Sequence, residues 1–100
     1  MSAIKIKHSD FEKAINKGVA LIDFYADWCG ACKTVSPIVD QVAKERADVL
    51  VGKVNIGDDP ALASQYGIRS IPTLILFNDG VEVKRLVGSR PKAAILAELQ

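Results

Sequence analysis

The chain is poor in the residues that carry most specialised chemistry. Its 100 residues include two Cys, one Trp, one His and one Met, with aromatic residues at 6%. Two cysteines are too few for a secreted disulfide framework, which typically uses about four or more spread along the chain. Charge of one sign is missing as well. Thirteen basic residues against twelve acidic ones leave a formal charge of +1. Such a balance lacks the cationic excess of a protein that binds nucleic acid or an anionic membrane. Apolar runs such as Val19–Ile22 and Leu74–Phe77 fall far short of the ~20 residues a bilayer span requires. The N-terminal stretch Met1–His8 alternates apolar and polar residues without an apolar h-region. It does not read as a secretory signal, so the expected location is the cytoplasm. No Gly-rich phosphate-binding loop is present, and no cofactor is expected in this chain.

What is there suits an ordinary globular domain: 49% hydrophobic, 25% charged, seven Gly and four Pro. A chain this long is expected to form one domain over residues 1–100 and to bury roughly 60–70% of its unfolded surface. Ala3–Lys7 alternates and reads as a strand. Ser9-Asp10-Phe11-Glu12 has the pattern of a capping box and predicts a helix from about Asp10 to Lys17, ended by Gly18. Val19–Ala26 is apolar except for Asp23, as in a central strand buried on both faces. Val35, Ile38, Val39, Val42 and Ala43 then recur at helical spacing and predict a helix from Cys29 to Arg46, kinked at Pro37. Val49–Ile56 reads as a third strand. Asp58-Asp59-Pro60 opens a short helix that reaches Tyr66 and stops at Gly67. Thr73–Phe77 and Val81–Val87 read as strands joined by the turn Asn78-Asp79-Gly80. Ser89 is expected to cap a last helix carrying Ile95, Leu96 and Leu99 on one face. The order βαβαβαββα implies an α/β protein with a partly parallel sheet covered on both faces and a final antiparallel pair.

Both cysteines fall in Cys29-Gly30-Ala31-Cys32, between the buried strand and the following helix. A bridge across so short a loop constrains the unfolded chain little, so a structural staple is a poor reading. A helix N-terminus favours an anion, and thiols in C-x-x-C settings there ionise below the ~8.5 of a free cysteine. Cys32, three residues on, shares a helix face with Cys29. The arrangement offers an attacking thiolate and a second thiol to resolve a mixed disulfide. Lys33 adds a nearby positive charge and is expected to be solvated. Half of a zinc or iron–sulfur site is the alternative, but the chain has no third cysteine, and its one histidine, His8, lies near the N-terminus. Only a metal shared across a dimer would complete such a site. His8 is expected at the surface with no role. Asp23, among Ala20, Leu21, Ile22 and Phe24, loses hydration, and its pKa is expected to rise toward the range of a general base.

Phe24-Tyr25-Ala26-Asp27-Trp28-Cys29-Gly30-Ala31-Cys32-Lys33, with Pro37, Ile71-Pro72-Thr73 and Gly88 downstream, resembles the thioredoxin family over essentially the whole chain. The resemblance implies the thioredoxin fold, a central mixed five-stranded sheet flanked by four helices. It implies a protein dithiol–disulfide oxidoreductase with a redox disulfide Cys29–Cys32, Cys29 as nucleophile and Cys32 as resolving thiol. Asp23 matches the family's buried proton acceptor, and Lys53 the lysine that accompanies it. Ile71-Pro72 matches a cis-proline loop facing the site. Trp28, Gly30, Ala31, Ile71, Pro72, Val87 and Gly88 would then form a small docking surface where substrate adds as an extended segment. No metal is implied. The implied partners are a thioredoxin reductase and disulfide-containing client proteins, met by a monomer. The same fold working as an oxidant or isomerase, or as a binding subunit with incidental cysteines, stays open at this point. Ala31 departs from the proline usual in the family. Its restored N–H is expected to approach Cys29 Sγ and make the pair more oxidising. Gly57 also departs from the acidic residue common after the third strand.

Overall fold

Runs of β-branched and apolar residues form the strands, and each helix lies where that run gives way to a three-to-four spacing. A computed structural model describes residues 3–100. Met1 and Ser2, where the alternating N-terminal stretch begins, lie outside the described residues. The elements are β1 (Ile4–Lys5), α1 (His8–Ile15), β2 (Val19–Tyr25), α2 (Gly30–Glu45), β3 (Leu50–Asn55), α3 (Pro60–Gln65), β4 (Thr73–Asn78), β5 (Val81–Val87) and α4 (Lys92–Glu98). They follow the order read from the sequence. The five strands make one sheet, β1-β3-β2-β4-β5. β1 and β2 run parallel to β3, whereas β4 runs antiparallel to both β2 and β5.

β2 is the middle strand, which is why its residues from Ala20 to Phe24 are buried without a break. Its pleat sends them alternately to two cores. Ala20, Ile22 and Phe24 join Phe11 and Ile15 of α1, Leu62 of α3, and Ile75 and Phe77 of β4. Leu21 joins Val35, Val39 and Val42 of α2, Leu74 of β4, and Ile95 and Leu99 at the end of the chain. Asp23 has the same parity as Leu21 and therefore faces the side of the sheet that α2 covers. Full burial of each of these Leu, Ile, Val and Phe side chains contributes about 1.5–3 kcal/mol, so the two cores carry the fold.

The caps differ in part from expectation. α1 begins at His8 with Lys7 as its N-cap and no side-chain cap, so Ser9 lies inside the helix. The cause lies just upstream. Ile6 N–H donates to Lys53 O at 2.9 Å and its side chain enters the first core, so the chain must turn at once. β1 is cut to two residues for the same reason. α4 begins at Lys92 behind Pro91, and Ser89 does not cap it. Asp59 does cap α3, accepting from Leu62 N–H at 3.1 Å, with Pro60 at the first helical position. The β4–β5 connection is a hairpin as expected, but Asn78 belongs to β4, so its turn is Asp79-Gly80 alone. Asp79 and Gly80 have φ of 50° and 84°, a left-handed pair that Asp-Gly adopts readily.

Candidate functional site

β2 ends at Tyr25, and the chain bends through Asp27 and Trp28 before α2 begins. Cys29 N–H donates to Ala26 O at 3.2 Å, which seats Cys29 as the N-cap of α2. An N-cap side chain normally supplies an oxygen to an unpaired N–H of the first turn. Here sulfur fills that place: Cys32 N–H donates to Cys29 Sγ at 3.1 Å. The donor is thus Cys32 and not the Ala31 N–H expected from the sequence. The third helical residue reaches back over its cap, whereas the N–H of Ala31 stays in the open first turn. The two cysteines are disulfide-bonded, with Cα atoms 5.2 Å apart. Their surroundings differ: Cys29 is half-buried at the surface, whereas Cys32 is only 2% exposed.

A second loop meets the pair from across the sheet. The Ile71–Pro72 peptide is cis, as the resemblance implied, and Ile71 O lies 3.6 Å from Cys29 Sγ. β4 and β5 fix this loop: Thr73 is in register with Phe24 on one side and Val87 on the other. Gly88 N–H donates to Pro72 O at 2.8 Å, and Thr73 Oγ1 donates to Ser70 O at 2.5 Å. Val87 and Gly88 therefore stand beside Pro72, while Gly30 and Ala31 are exposed on the first turn of α2. Pro72 itself is buried. Trp28 is 72% exposed. Its ring rests over Gly57, where an added Cβ would stand 3.1 Å from ring atom Cζ3. Gly57 thus has a role as the seat of that ring. Asn55 supports the same loop, accepting from Gly57 N–H at 2.9 Å and donating to Asp27 Oδ2 at 3.3 Å. Lys33 is exposed, as expected.

Asp23 is 1% exposed, and neither of its carboxyl oxygens has a hydrogen-bond partner among the described residues. Burial pushes its pKa up to about 7. The Lys53 ammonium pulls against that rise and the Asp40 carboxylate adds to it. Lys53 is the register partner of Asp23 on β3, so the sequence-expected pair is adjacent along the sheet. The two side chains nevertheless do not pair. Lys53 Nζ donates to Ser36 Oγ at 2.6 Å and stands 3.1 Å from Asp40 Oδ1. Sequence reading missed Ser36 and Asp40, although a signal existed. They follow Cys32 at i+4 and i+8, a polar line on the helix face that also carries buried Val35 and Val39.

His8 is exposed and lies 2.9 Å from Asp59 Oδ1. Among the described residues no group of three or more His, Cys, Asp or Glu side chains is placed to hold a metal ion. Nor is any described helix long and apolar enough to cross a membrane.

Known proteins resemble this arrangement along its whole length. The family model described as Thioredoxin matches residues 2–100. The thioredoxin of Chlamydia caviae is 50% identical over 91 residues, covering 91% of this chain and 89% of that protein. The thioredoxin of Mycobacterium tuberculosis is 46% identical over 102 aligned positions, covering 98% and 87%. A solved structure of a mutant thioredoxin from Halobacterium salinarum superposes with a TM-score of 0.89 at 36% identity, covering 97% of this chain and 87% of that one.

Proposed function

The chain belongs to the thioredoxin family and is a thiol–disulfide oxidoreductase, and from that premise we propose the division of labour within its site. Members of the family act on protein disulfides and are returned to the dithiol by a reductase. In the reduced protein Cys29 is the nucleophile. Its thiolate attacks one sulfur of a client disulfide, a new S–S bond forms, and the other client sulfur leaves as a thiolate that takes a proton from water. Cys32 then loses its proton to Asp23 and attacks Cys29 Sγ. The Cys29–Cys32 bond forms as the Cys29–client bond breaks, the second client sulfur leaves as a thiolate that takes a proton from water, and Asp23 releases its proton. Two electrons have passed to the client, and the reductase returns two.

The observation that carries this reading is the unequal placement of the two sulfurs. Cys29 is at the surface as the N-cap of α2, where the helix dipole favours a thiolate. Cys32 is 2% exposed on the sheet side, screened from clients. Asp23 faces the same side and carries a pKa of about 7, the range in which a carboxyl can both accept and return a proton. The client lies against Trp28, Gly30, Ala31, Ile71, Val87 and Gly88, with the expected docking residue Pro72 buried behind them, and the Ile71 backbone pairs with an extended client segment. The protein works as a monomer in the cytoplasm with a thioredoxin reductase as its partner.

Cys32→Ser is expected to accumulate a covalent adduct with a peptide disulfide, visible by intact mass and mapped to Cys29. Cys29→Ser is expected to lose disulfide reduction altogether. Turnover by Cys32→Ser at the parent rate, or an adduct on Cys32 in Cys29→Ser, refutes the assignment.

A further inference from the structure

We propose that Ser36 and Asp40 are positioning residues that hold the Lys53 ammonium on α2 and away from Asp23. The inference rests on the reading of Asp23 as the proton acceptor. Lys53 and Asp23 are directly paired in register on adjacent parallel strands, so a direct ion pair is the arrangement their backbones invite. The side chains make another choice. The ammonium donates to Ser36 Oγ at 2.6 Å and to Ser36 O at 3.4 Å, and it stands 3.1 Å from Asp40 Oδ1 as that carboxylate's ion-pair partner, so its contacts with α2 are made by Ser36 and Asp40. The ammonium is held there by two hydrogen bonds and one ion pair, and Asp23 is left with both oxygens unpartnered.

The holding carboxylate is itself anchored. Asp40 Oδ1 also accepts from Ala3 N–H at 3.1 Å, which ties it to the chain just before β1. Lys53 is mostly covered, with 13% of its side chain exposed, against 32% for Asp40. Water therefore competes weakly for the ammonium. The charged and titratable groups around Asp23 are few. β3 contributes Lys53 and α2 contributes Asp40, β2 itself contributes Tyr25, and Cys32 is tied up in the disulfide. Leu74, its register partner on β4, is apolar. With one cation within reach, the position of that cation decides what Asp23 does. An opposite charge at contact lowers a carboxyl pKa by about 1–3 units. Paired directly with Lys53, Asp23 would be a permanent carboxylate and a weak base. Held apart from it, Asp23 stays able to take the Cys32 proton and release it again near neutral pH.

A double-mutant cycle reads this directly. The carboxyl carbon of Asp23 is titrated by NMR in the oxidised protein with Asp40 or Asp40→Asn, each with Lys53 or Lys53→Met. Asn keeps an oxygen for Ala3 N–H but loses the charge that retains the ammonium. With Lys53 present, Asp40→Asn is expected to lower the Asp23 midpoint by about one pH unit as the ammonium swings toward it. With Lys53→Met the same substitution is expected to lower it by less than about a third of that, since only the distant charge of Asp40 is lost. Ser36→Ala, which changes no charge, is expected to produce a smaller fall in the same direction. Equal falls in both Lys53 backgrounds mean that Asp40 acts through its own charge and overturn the proposal, as does an unchanged midpoint in Asp40→Asn. The pH profile of Cys32 attack on a preformed mixed disulfide is followed in the same variants. If the titration moves and this profile does not, the holding role stands and the reading of Asp23 as proton acceptor fails.

Discussion

Asp23 keeps a carboxyl group 1% exposed and unpartnered beneath α2, and that placement has a thermodynamic consequence. Its pKa is 3.8 in an unfolded chain and about 7 in the fold, raised first by burial. Between those values the native state holds a proton that the unfolded state has released, so stability falls as pH rises. Below pH ~4 both states are protonated and the residue is neutral in effect. Above about 7 the loss is complete. Asp23→Asn removes the penalty, and we expect the variant to be more stable than the parent by about 2–4 kcal/mol at pH 8.5, with the difference shrinking toward pH 4. Denaturant unfolding at the two pH values checks this; a constant difference contradicts it. The burial of Asp23 was legible because its neighbours in the strand are all apolar. The destination of the Lys53 side chain was not, because a lysine on a strand can reach several acceptors and only the packed helix selects among them.

Among the elements, α2 carries most of the chemistry through its first turn. The sequence placed its start within one residue, since a buried strand followed at once by helical spacing leaves little choice. Caps were less legible. Asp59 caps α3 as expected, whereas Ser9 and Ser89 cap nothing. A serine that suits a cap does so only if the chain bends there, and at α1 the bend is set by the entry of Ile6 into the core. The first turn of α2 also governs the redox balance. Gly30, Ala31 and Cys32 contribute its early N–H groups, of which Cys32 N–H reaches Cys29 Sγ. Ala31→Pro leaves that bond but removes one of the remaining donors at the positive end of the helix. Such a charge–dipole contribution is about 0.3–1 kcal/mol. At ~30 mV per 1.4 kcal/mol for two electrons, the parent is expected to be more oxidising than Ala31→Pro by roughly 5–20 mV. Equilibration of both proteins with a glutathione buffer measures the difference, and equal or reversed potentials refute the argument.

On the scale of the whole molecule, the sheet separates two cores and brings distant segments to one edge of α2. Gly52 shows how closely those layers meet. It pairs with Ile4 on one side and Ile22 on the other. A Cβ at this position would collide with the Ile6 side chain and stand 3.4 Å from Ile22 Cδ1. Overpacking of this kind costs about 1–3 kcal/mol. Gly52→Ala is therefore expected to unfold at lower denaturant concentration with an unchanged m value; an unaltered midpoint shows that Ile6 relocates freely. Nothing in the local sequence marked this glycine, because the residue it must avoid lies 46 positions away.

The amino-acid sequence by itself determined the element order, the two-faced burial of β2, the helix-opening position of the cysteine pair and the apolar setting of Asp23. Those features depend on residues within a turn or a strand of one another, where periodicity and capping chemistry act. The tertiary structure alone decided which atoms meet. It brought Ile71 O to within 3.6 Å of Cys29 Sγ across 42 positions of chain, seated Trp28 on Gly57, and carried the Lys53 ammonium to Ser36 and Asp40 instead of Asp23. The physical reason is competition. Each polar group takes the best acceptor or donor among neighbours from several elements, and that choice exists only once the elements are packed together.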